Sequence, residues 1–313
     1  MTVNGVDLAG APLWLAQDLG YYKQNHLNVS ISVDGAESTD ELVSGQKDIA
    51  FTSYAAALIP ANKGMDTQII LPLSSMLISA YVVAIPSVKN ISQCTTIATG
   101  PVGSGYYGAS IQYQKIYNAK WDIVPYSDQP SMMAAVVGGH DNCGVVTRSL
   151  AASAVAAGKL HVLIDPENPA TANPKFPQGV INASLVGMAS NLSNKRSAVE
   201  EFMKAWHEAF VWEQKASPAQ VAATLKSNRD PAWAAFTNAT LISGLNYYKQ
   251  LSGVDALTPA LWNQSLEYQT NAGLTYVNTT DSKWSFANRI DASYYNEANG
   301  IPGSNFQAVT LGQ

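Results

Sequence analysis

The chain has 313 residues, length enough for two lobes that each bury a core of their own. Apolar residues make up 47% and charged residues only 13%, a balance that excludes a disordered chain, and a net charge of −5 with no Lys/Arg cluster excludes a phosphate-backbone partner. No apolar run reaches the roughly 18–20 residues that a membrane span needs; the longest, residues 69–73 and 77–85, are short and interrupted.

Residues 3–7 are predicted to form the first strand and 8–11 its exit loop. In open α/β sheets ligands sit outside the carboxyl ends of strands, so Ala11 is a candidate ligand contact. Pro12 suits the first turn of a helix, Leu15, Ala16 and Leu19 share one face, and Gly20 stops it. The alternation of Leu27, Val29, Ile31 and Val33 predicts a strand. Ser38 with Glu41 reads as a capping box opening a short helix that Gly45 ends. Ser38 and Thr39 therefore stand at backbone N–H groups able to meet a polar or anionic oxygen, while Ser38 serves as N-cap in either case. Ile49, Ala50 and Phe51 read as a buried parallel strand, with Ser53 and Tyr54 at its carboxyl end.

The phrase GYYKQNHLNVSI, the Gly-Ala-Glu-Ser-Thr loop and the phrase LVSGQKDIAFTS resemble the opening of extracytoplasmic solute-binding proteins of ABC importers. The branch is the one holding binders of sulfonates, taurine, nitrate and the thiamine pyrimidine precursor. Tyr22 stands where that family usually has Phe, and Asn25-His26 where it has Glu-Gly. The resemblance implies an α/β protein of the type II periplasmic binding protein kind, two doubly wound lobes joined by a two-crossing hinge. It places residues 1–80 and 187–313 in the first lobe and 84–183 in the second, with crossings near 79–84 and 183–187. Ser79, Ala80 and Tyr81 then lie at the first crossing and Asn182 beside the second, all four against the ligand.

From Thr95 the pattern repeats: a strand, the loop PVGSGYYG, a helix, the strand WDIVPY, a helix start at Asp128-Gln129-Pro130, then AAVVGGHDNCGVVTRS. This last phrase parallels ELVSGQKDIAFTSY, matching Gly139 with Gly45, Asn142 with Asp48, and Thr147 and Arg148 with Thr52 and Ser53. Two similar α/β halves explain the echo better than one long sheet. The glycines of residues 101–108 permit close backbone approach, so Gly103, Ser104, Gly105 and Tyr106 are candidate contacts. The loop lacks both the P-loop ending and the dinucleotide spacing, which argues against a nucleotide. A plain glycine-rich turn remains the other reading.

Cys94 and Cys143 each precede a strand, and in a doubly wound lobe those strands are neighbours. Two readings stand: a disulfide, which fits an oxidising compartment, or two buried thiols. Seven Asn-x-Ser/Thr sequons occur, at Asn28, Asn90, Asn182, Asn191, Asn238, Asn263 and Asn278, as acceptors for glycans or as chance in an Asn- and Ser-rich chain.

Residues 151–157 read as a helix ended by Gly158, 160–164 as a strand, 166–177 as a proline-rich surface loop and 180–187 as the return strand. Ser197 and Glu200 read as a capping box before a helix whose Val199, Phe202, Met203, Trp206 and Phe210 form a core stripe, flanked by His207. Helices over 217–225, 230–236, 241–251 and 259–271 are expected to pack on the first lobe.

The four histidines show no metal-ligand spacing, and no nucleophile elbow has an obvious His partner, so neither catalytic residues nor a metal or cofactor is assigned. Arg148 is the one cation predicted at a strand's carboxyl end, either as a bidentate anchor for a carboxylate or sulfonate or as half of a surface ion pair. Tyr54, Tyr81, Tyr106 and Tyr107 offer walls for an apolar group, or core.

The expected function is capture of a small organic anion between the lobes, closure about the hinge and delivery to a membrane permease by a monomer outside the cytoplasm. The alternatives are a binder of a neutral or cationic heteroaromatic such as a pyrimidine precursor, and a cytosolic enzyme of the same fold. The resemblance implies a secretory or lipoprotein leader upstream of Met1.

Overall fold

Short runs of β-branched and apolar residues, bounded by Gly, Pro and Asn, pair into two five-stranded sheets in the computed structural model. It describes residues 1–307 except 4, 7, 74–79, 103, 167, 169, 177–179, 182, 228–230, 235 and 249–256. The chain divides into one unit of Met1–Ser74, Ala183–Pro259 and Ser285–Gln313, and a second of Ser75–Asn182 and Ala260–Trp284.

The first unit's sheet contains β1 (Thr2–Val3), β2 (Ser32–Val33), β3 (Ile49–Ser53), β4 (Thr67–Pro72) and β10 (Ala183–Met188), in the order β2-β1-β3-β10-β4. β1 runs parallel to β2 and β3, and β10 lies antiparallel between β3 and β4. The second sheet contains β5 (Tyr81–Ala84), β6 (Thr96–Thr99), β7 (Asp122–Pro125), β8 (Cys143–Val146) and β9 (His161–Ile164), in the order β7-β6-β8-β5-β9. β6 runs parallel to β7 and β8, and β5 lies antiparallel between β8 and β9. Each sheet is therefore the same four-strand α/β pattern with one antiparallel strand inserted at the same place. In each, the inserted strand lies near a boundary where the chain passes between units: β5 follows Ser75 and β10 begins at Ala183.

The echo between the halves is a structural one. Gly45 and Gly139 adopt nearly the same left-handed backbone, φ 77° and 76°, at the turn into β3 and β8. Carried forward at constant spacing, this register pairs Asp48 with Asn142, Ser53 with Thr147 and Tyr54 with Arg148. The sequence pairing of Thr52 and Ser53 with Thr147 and Arg148 is thus displaced by one residue.

Several local expectations are corrected. Of the strand predicted over 27–33 only Ser32–Val33 forms, because its one neighbour, β1, spans two residues. Ser38 is not an N-cap: a 3-10 turn over Gly35–Glu37 enters the helix early, and Ser38 already has helical φ and ψ of −53° and −34°. The helix predicted to start at Ser197 begins at Arg196, whose Nε bonds Glu200 at 2.6 Å, so that capping box is absent as well. Residues 260–284 fall in the second unit rather than with the first lobe as expected for 187–313. The reason is packing: Tyr268 belongs to the second unit's core, Gln112 Nε2 donates to the Tyr268 carbonyl at 3.2 Å, and Ile181 N donates to Ser265 Oγ at 3.1 Å.

The first unit's core is aromatic. The stripe Val199, Phe202, Met203, Trp206 and Phe210 is buried along the Arg196–Lys215 helix. Phe202 stacks on Tyr22 at 5.5 Å, Trp206 stacks on Phe210 at 5.3 Å, and Trp14 meets Trp233 edge-on at 5.3 Å. In the second unit Tyr113 stacks on Phe176 at 4.2 Å among Val82, Ile97, Trp121 and Val145. Cys94 and Cys143 form a disulfide with Cα atoms 5.8 Å apart, where β6 and β8 run side by side with Ile97 opposite Cys143. Asn142 secures the same corner: its Oδ1 accepts from Thr95 N and Thr96 N at 3.0 and 3.1 Å, and its Nδ2 donates to the Gln93 carbonyl at 3.2 Å.

Candidate functional site

In the second unit, the carboxyl ends of β6, β7, β8 and β9 and the amino end of antiparallel β5 form one edge of the sheet. Three helices start along it, each with a side-chain cap chosen by sequence: Ser104 accepts from Tyr107 N at 3.2 Å, Asp128 from Ser131 N at 2.7 Å and Thr147 from Leu150 N at 3.3 Å. The capped helices Gly105–Ile116, Gln129–Val137 and Arg148–Ala156 thus aim their positive ends along this edge.

Arg148 is the first residue of its helix, and its guanidinium pairs with the carboxylate of Asp165, the residue that follows β9. The guanidinium carbon lies 5.3 Å from the centroid of the Tyr81 ring, at the start of β5. Asp165 is 8% exposed, whereas the Arg148 side chain remains 37% exposed. The pair is therefore asymmetric: a buried carboxylate holds the plane of a partly accessible guanidinium over an aromatic face. Burial raises the pKa of the Tyr81 hydroxyl, with Arg148 opposing the shift and Asp165 adding to it, so Tyr81 stays a neutral phenol.

Around this cluster, Ala80 is fully buried and its carbonyl accepts from Tyr113 Oη at 2.9 Å. Tyr106 Oη accepts from Gln129 Nε2 at 2.7 Å, tying together the first turns of two of the helices. Gly100 permits this crowding, since a Cβ there would meet Ser104 Oγ at 2.8 Å and Tyr106 Cδ2 at 2.9 Å. Gly105 begins the first helix directly after Ser104. Tyr107 faces elsewhere, lining a pocket of about 100 Å³ with Ile111, Gln269 and Leu274.

In the first unit, Ala11 opens the Ala11–Asp18 helix and is fully buried, as are Ser38 at 1% and Tyr54 at 2% exposure. Thr39 is half-buried in the first turn of its helix. Ser53 ends β3, and its Oγ accepts from Ala55 N at 3.3 Å. These side chains serve helix starts and core, and among the described residues none of them makes an ion pair. Ser79, Gly103 and Asn182 lie outside the described residues.

The structure thus brings Tyr81 and Arg148 together and adds a residue that sequence reasoning missed. Asp165 had a usable signal: it is the first residue after a strand predicted to end at Ile164, and the carboxyl-end rule applied there as it did at Arg148. Among the described residues no group of three or more His, Cys, Asp or Glu side chains is arranged to hold a metal ion.

A family model described as NMT1/THI5 like matches residues 9–216, about two thirds of the chain. The chain belongs to the NMT1/THI5-like family. Solved structures similar to this NMT1/THI5-like chain include a protein of Bordetella bronchiseptica RB50, at a TM-score of 0.79 and 15% identity, covering 96% of each chain. The periplasmic nitrate-binding protein of Synechocystis PCC 6803 matches at a TM-score of 0.74 and 13% identity, over 97% of this chain and 90% of that one. The periplasmic aliphatic sulphonate binding protein of Escherichia coli matches at a TM-score of 0.63 and 14% identity, over 88% of this chain and 85% of that one. At these identities the likeness establishes a periplasmic binding protein fold. No curated protein sequence matches the chain significantly. Among the described residues no helix of this NMT1/THI5-like chain is long and apolar enough to cross a membrane.

Proposed function

We propose that this NMT1/THI5-like chain is the solute-binding component of an ABC-type importer, working outside the cytoplasm and handing a small organic anion to a membrane permease. The observation that carries the ligand class is Arg148, held by Asp165 and Tyr81 at the sheet edge where α/β proteins bind their ligands. A guanidinium whose plane is already fixed loses little side-chain freedom when it receives a carboxylate or sulfonate, so more of the contact energy remains as affinity. The similar nitrate- and sulphonate-binding proteins bind anions, which supports the same class here. The Cys94–Cys143 disulfide supports an oxidising compartment.

The Arg148–Asp165 pair also favours a second reading. Asp165 offsets the charge of Arg148, so a neutral or cationic heteroaromatic ligand resting against the tyrosines would meet no net positive field.

Thermal unfolding of ligand-stripped protein against alkyl and aryl sulfonates, carboxylates, nitrate and pyrimidines separates the two readings. Ligand at a hundred times its dissociation constant adds about 2.7 kcal/mol and raises the midpoint by several degrees. For an anion, Arg148→Ala is expected to weaken binding at least about tenfold while Asp165→Asn retains it, since removing one charged partner of a desolvated contact costs about 2 kcal/mol or more. If Arg148→Ala leaves every anion's affinity unchanged, the anchor role is wrong. If Asp165→Asn alone abolishes binding of a pyrimidine, the second reading replaces the first.

A further inference from the structure

The transport reading leaves the sequons unused, and the structure separates them. At Asn278 the side-chain oxygen accepts from Thr280 N at 3.1 Å, Thr280 Oγ1 at 2.9 Å and Asp281 N at 2.8 Å. At Asn90 the same oxygen accepts from the Ser92 hydroxyl and, as the N-cap of the Ile91–Gln93 turn, from the Gln93 backbone. Both asparagines are exposed, and in each the hydroxyl two residues on holds the carboxamide oxygen. The oxygen faces the protein, and neither Nδ2 has a partner among the described residues.

Asn191 is the reverse case. It is half-buried, and its Nδ2 donates to Asp48 Oδ1 at 2.8 Å, a carboxylate that Lys195 also holds at 2.7 Å. Asn28, Asn238 and Asn263 are exposed, but their own sequon hydroxyls do not hold their carboxamides, and Ser265 of the Asn263 sequon is buried and bonded to the Leu261 carbonyl at 2.9 Å.

We propose that Asn90 and Asn278 carry N-linked glycans and that Asn191 does not. In the transfer, Nδ2 attacks the anomeric carbon of a lipid-phosphate-linked oligosaccharide. A C–N bond forms, the C–O bond to phosphate breaks, the lipid phosphate leaves with the bonding pair and the amide gives up one proton. The carboxamide oxygen is untouched, so every hydrogen bond it accepts at these two turns survives the modification. At Asn191 one Nδ2 hydrogen is already given to Asp48, which Lys195 also holds, and the side chain is half-buried, so a sugar on Nδ2 is crowded against that group. Two features of the chain agree with such decoration: the disulfide four residues from Asn90 marks an oxidising compartment, and with 13% charged residues the surface relies on neutral polar groups for hydration.

The test is peptide mapping by mass spectrometry of the full chain purified from its native host. Peptides containing Asn90 and Asn278 are expected to carry hexose-containing additions, and the Asn191 peptide to have its sequence mass. Because Asn90→Gln also removes a turn cap, Ser92→Ala and Ser92→Thr serve as the paired variants: the alanine loses the addition at Asn90 and the threonine keeps it. Both peptides at their sequence masses, or additions confined to Asn191, would overturn the proposal.

Discussion

Removing the Cys94–Cys143 bridge with the Cys94→Ala/Cys143→Ala pair tests how the second unit is stabilised. The bridge closes a sequence separation of 49 residues, for which loop-closure entropy gives about 4 kcal/mol at 25 °C. That figure acts through the unfolded chain, and the folded corner has other support in the Asn142 hydrogen bonds and the pairing of β6 with β8. The variant is therefore expected to fold and to unfold earlier. If the second unit, about 130 residues, unfolds alone, about 4 kcal/mol against roughly 0.28 kcal/mol per kelvin of unfolding entropy lowers its midpoint by about 14 °C. If the whole chain unfolds as one, the larger entropy reduces the drop to about 6 °C. Scanning calorimetry, with wild type under reductant as a second route to the same state, measures the drop and shows whether one or two transitions carry it. An unchanged midpoint in the variant, with the wild-type bond verified by thiol titration, would refute the loop-entropy argument.

Two further outcomes follow from the packing of the first unit. Gly187→Ala places a Cβ 2.5 Å from Leu192 Cδ1 and 2.7 Å from Leu192 Cγ, so urea titration should show a loss of about 1–3 kcal/mol that Leu192→Ala in the same chain partly reverses. A Gly187→Ala chain as stable as wild type would mean that the Ala189–Asn194 helix moves freely away from β10. His207, with Nδ1 2.7 Å from Tyr295 Oη, has its pKa lowered by burial, with Glu208 opposing the shift. The unfolded chain then binds the proton more readily, so the stability this residue contributes is present above the ordinary pKa of about 6.5 and is lost as the pH falls below it. Urea midpoints from pH 7 to pH 5 should decline, and His207→Gln should flatten that slope; an equal slope in the variant assigns the decline to other groups.

What the sequence made legible was set by how local the determining interactions are. Gly20 and Gly45 were readable as helix stops because a left-handed residue follows each helix, with φ of 80° and 77°. Asp128 was readable as a helix start because its carboxylate meets the backbone three residues on. The Arg196–Lys215 stripe was readable because its period matches the helix. Ser38 misled because the same Ser-x-x-Glu spacing fits a helix entered through a 3-10 turn, and the choice lies with Gly35 at φ 57°. The placement of residues 260–284 was out of reach because it depends on contacts such as Gln112 with Tyr268, remote in sequence and of ordinary composition. At the site, Arg148 and Tyr81 stood out by residue type and position, whereas Asp165 was marked only as the residue after a predicted strand, and its pairing with Arg148 shows when β9 is laid beside β5.

Comparing the two sheets shows which positions keep one residue type and where the copies differ. At the turn before the strand, Gly45 and Gly139 are the same residue in the same left-handed conformation, which glycine adopts without strain. At the strand's end, Ser53 and Thr147 keep a hydroxyl that accepts from a following backbone N–H, at 3.3 Å in both cases. One residue later the copies part: Tyr54 is buried at 2% exposure, whereas Arg148 is 37% exposed in its side chain and is oriented by a carboxylate that is itself buried. A scaffold position tolerates few residues, whereas a ligand contact on a shared fold is free to vary with the ligand. On the proposed anion-binding reading, Arg148 is the position at which this shared plan is fitted to a solute. Arg148→Lys, which keeps a cation beside the buried Asp165, should change anion affinity more than it changes the unfolding midpoint.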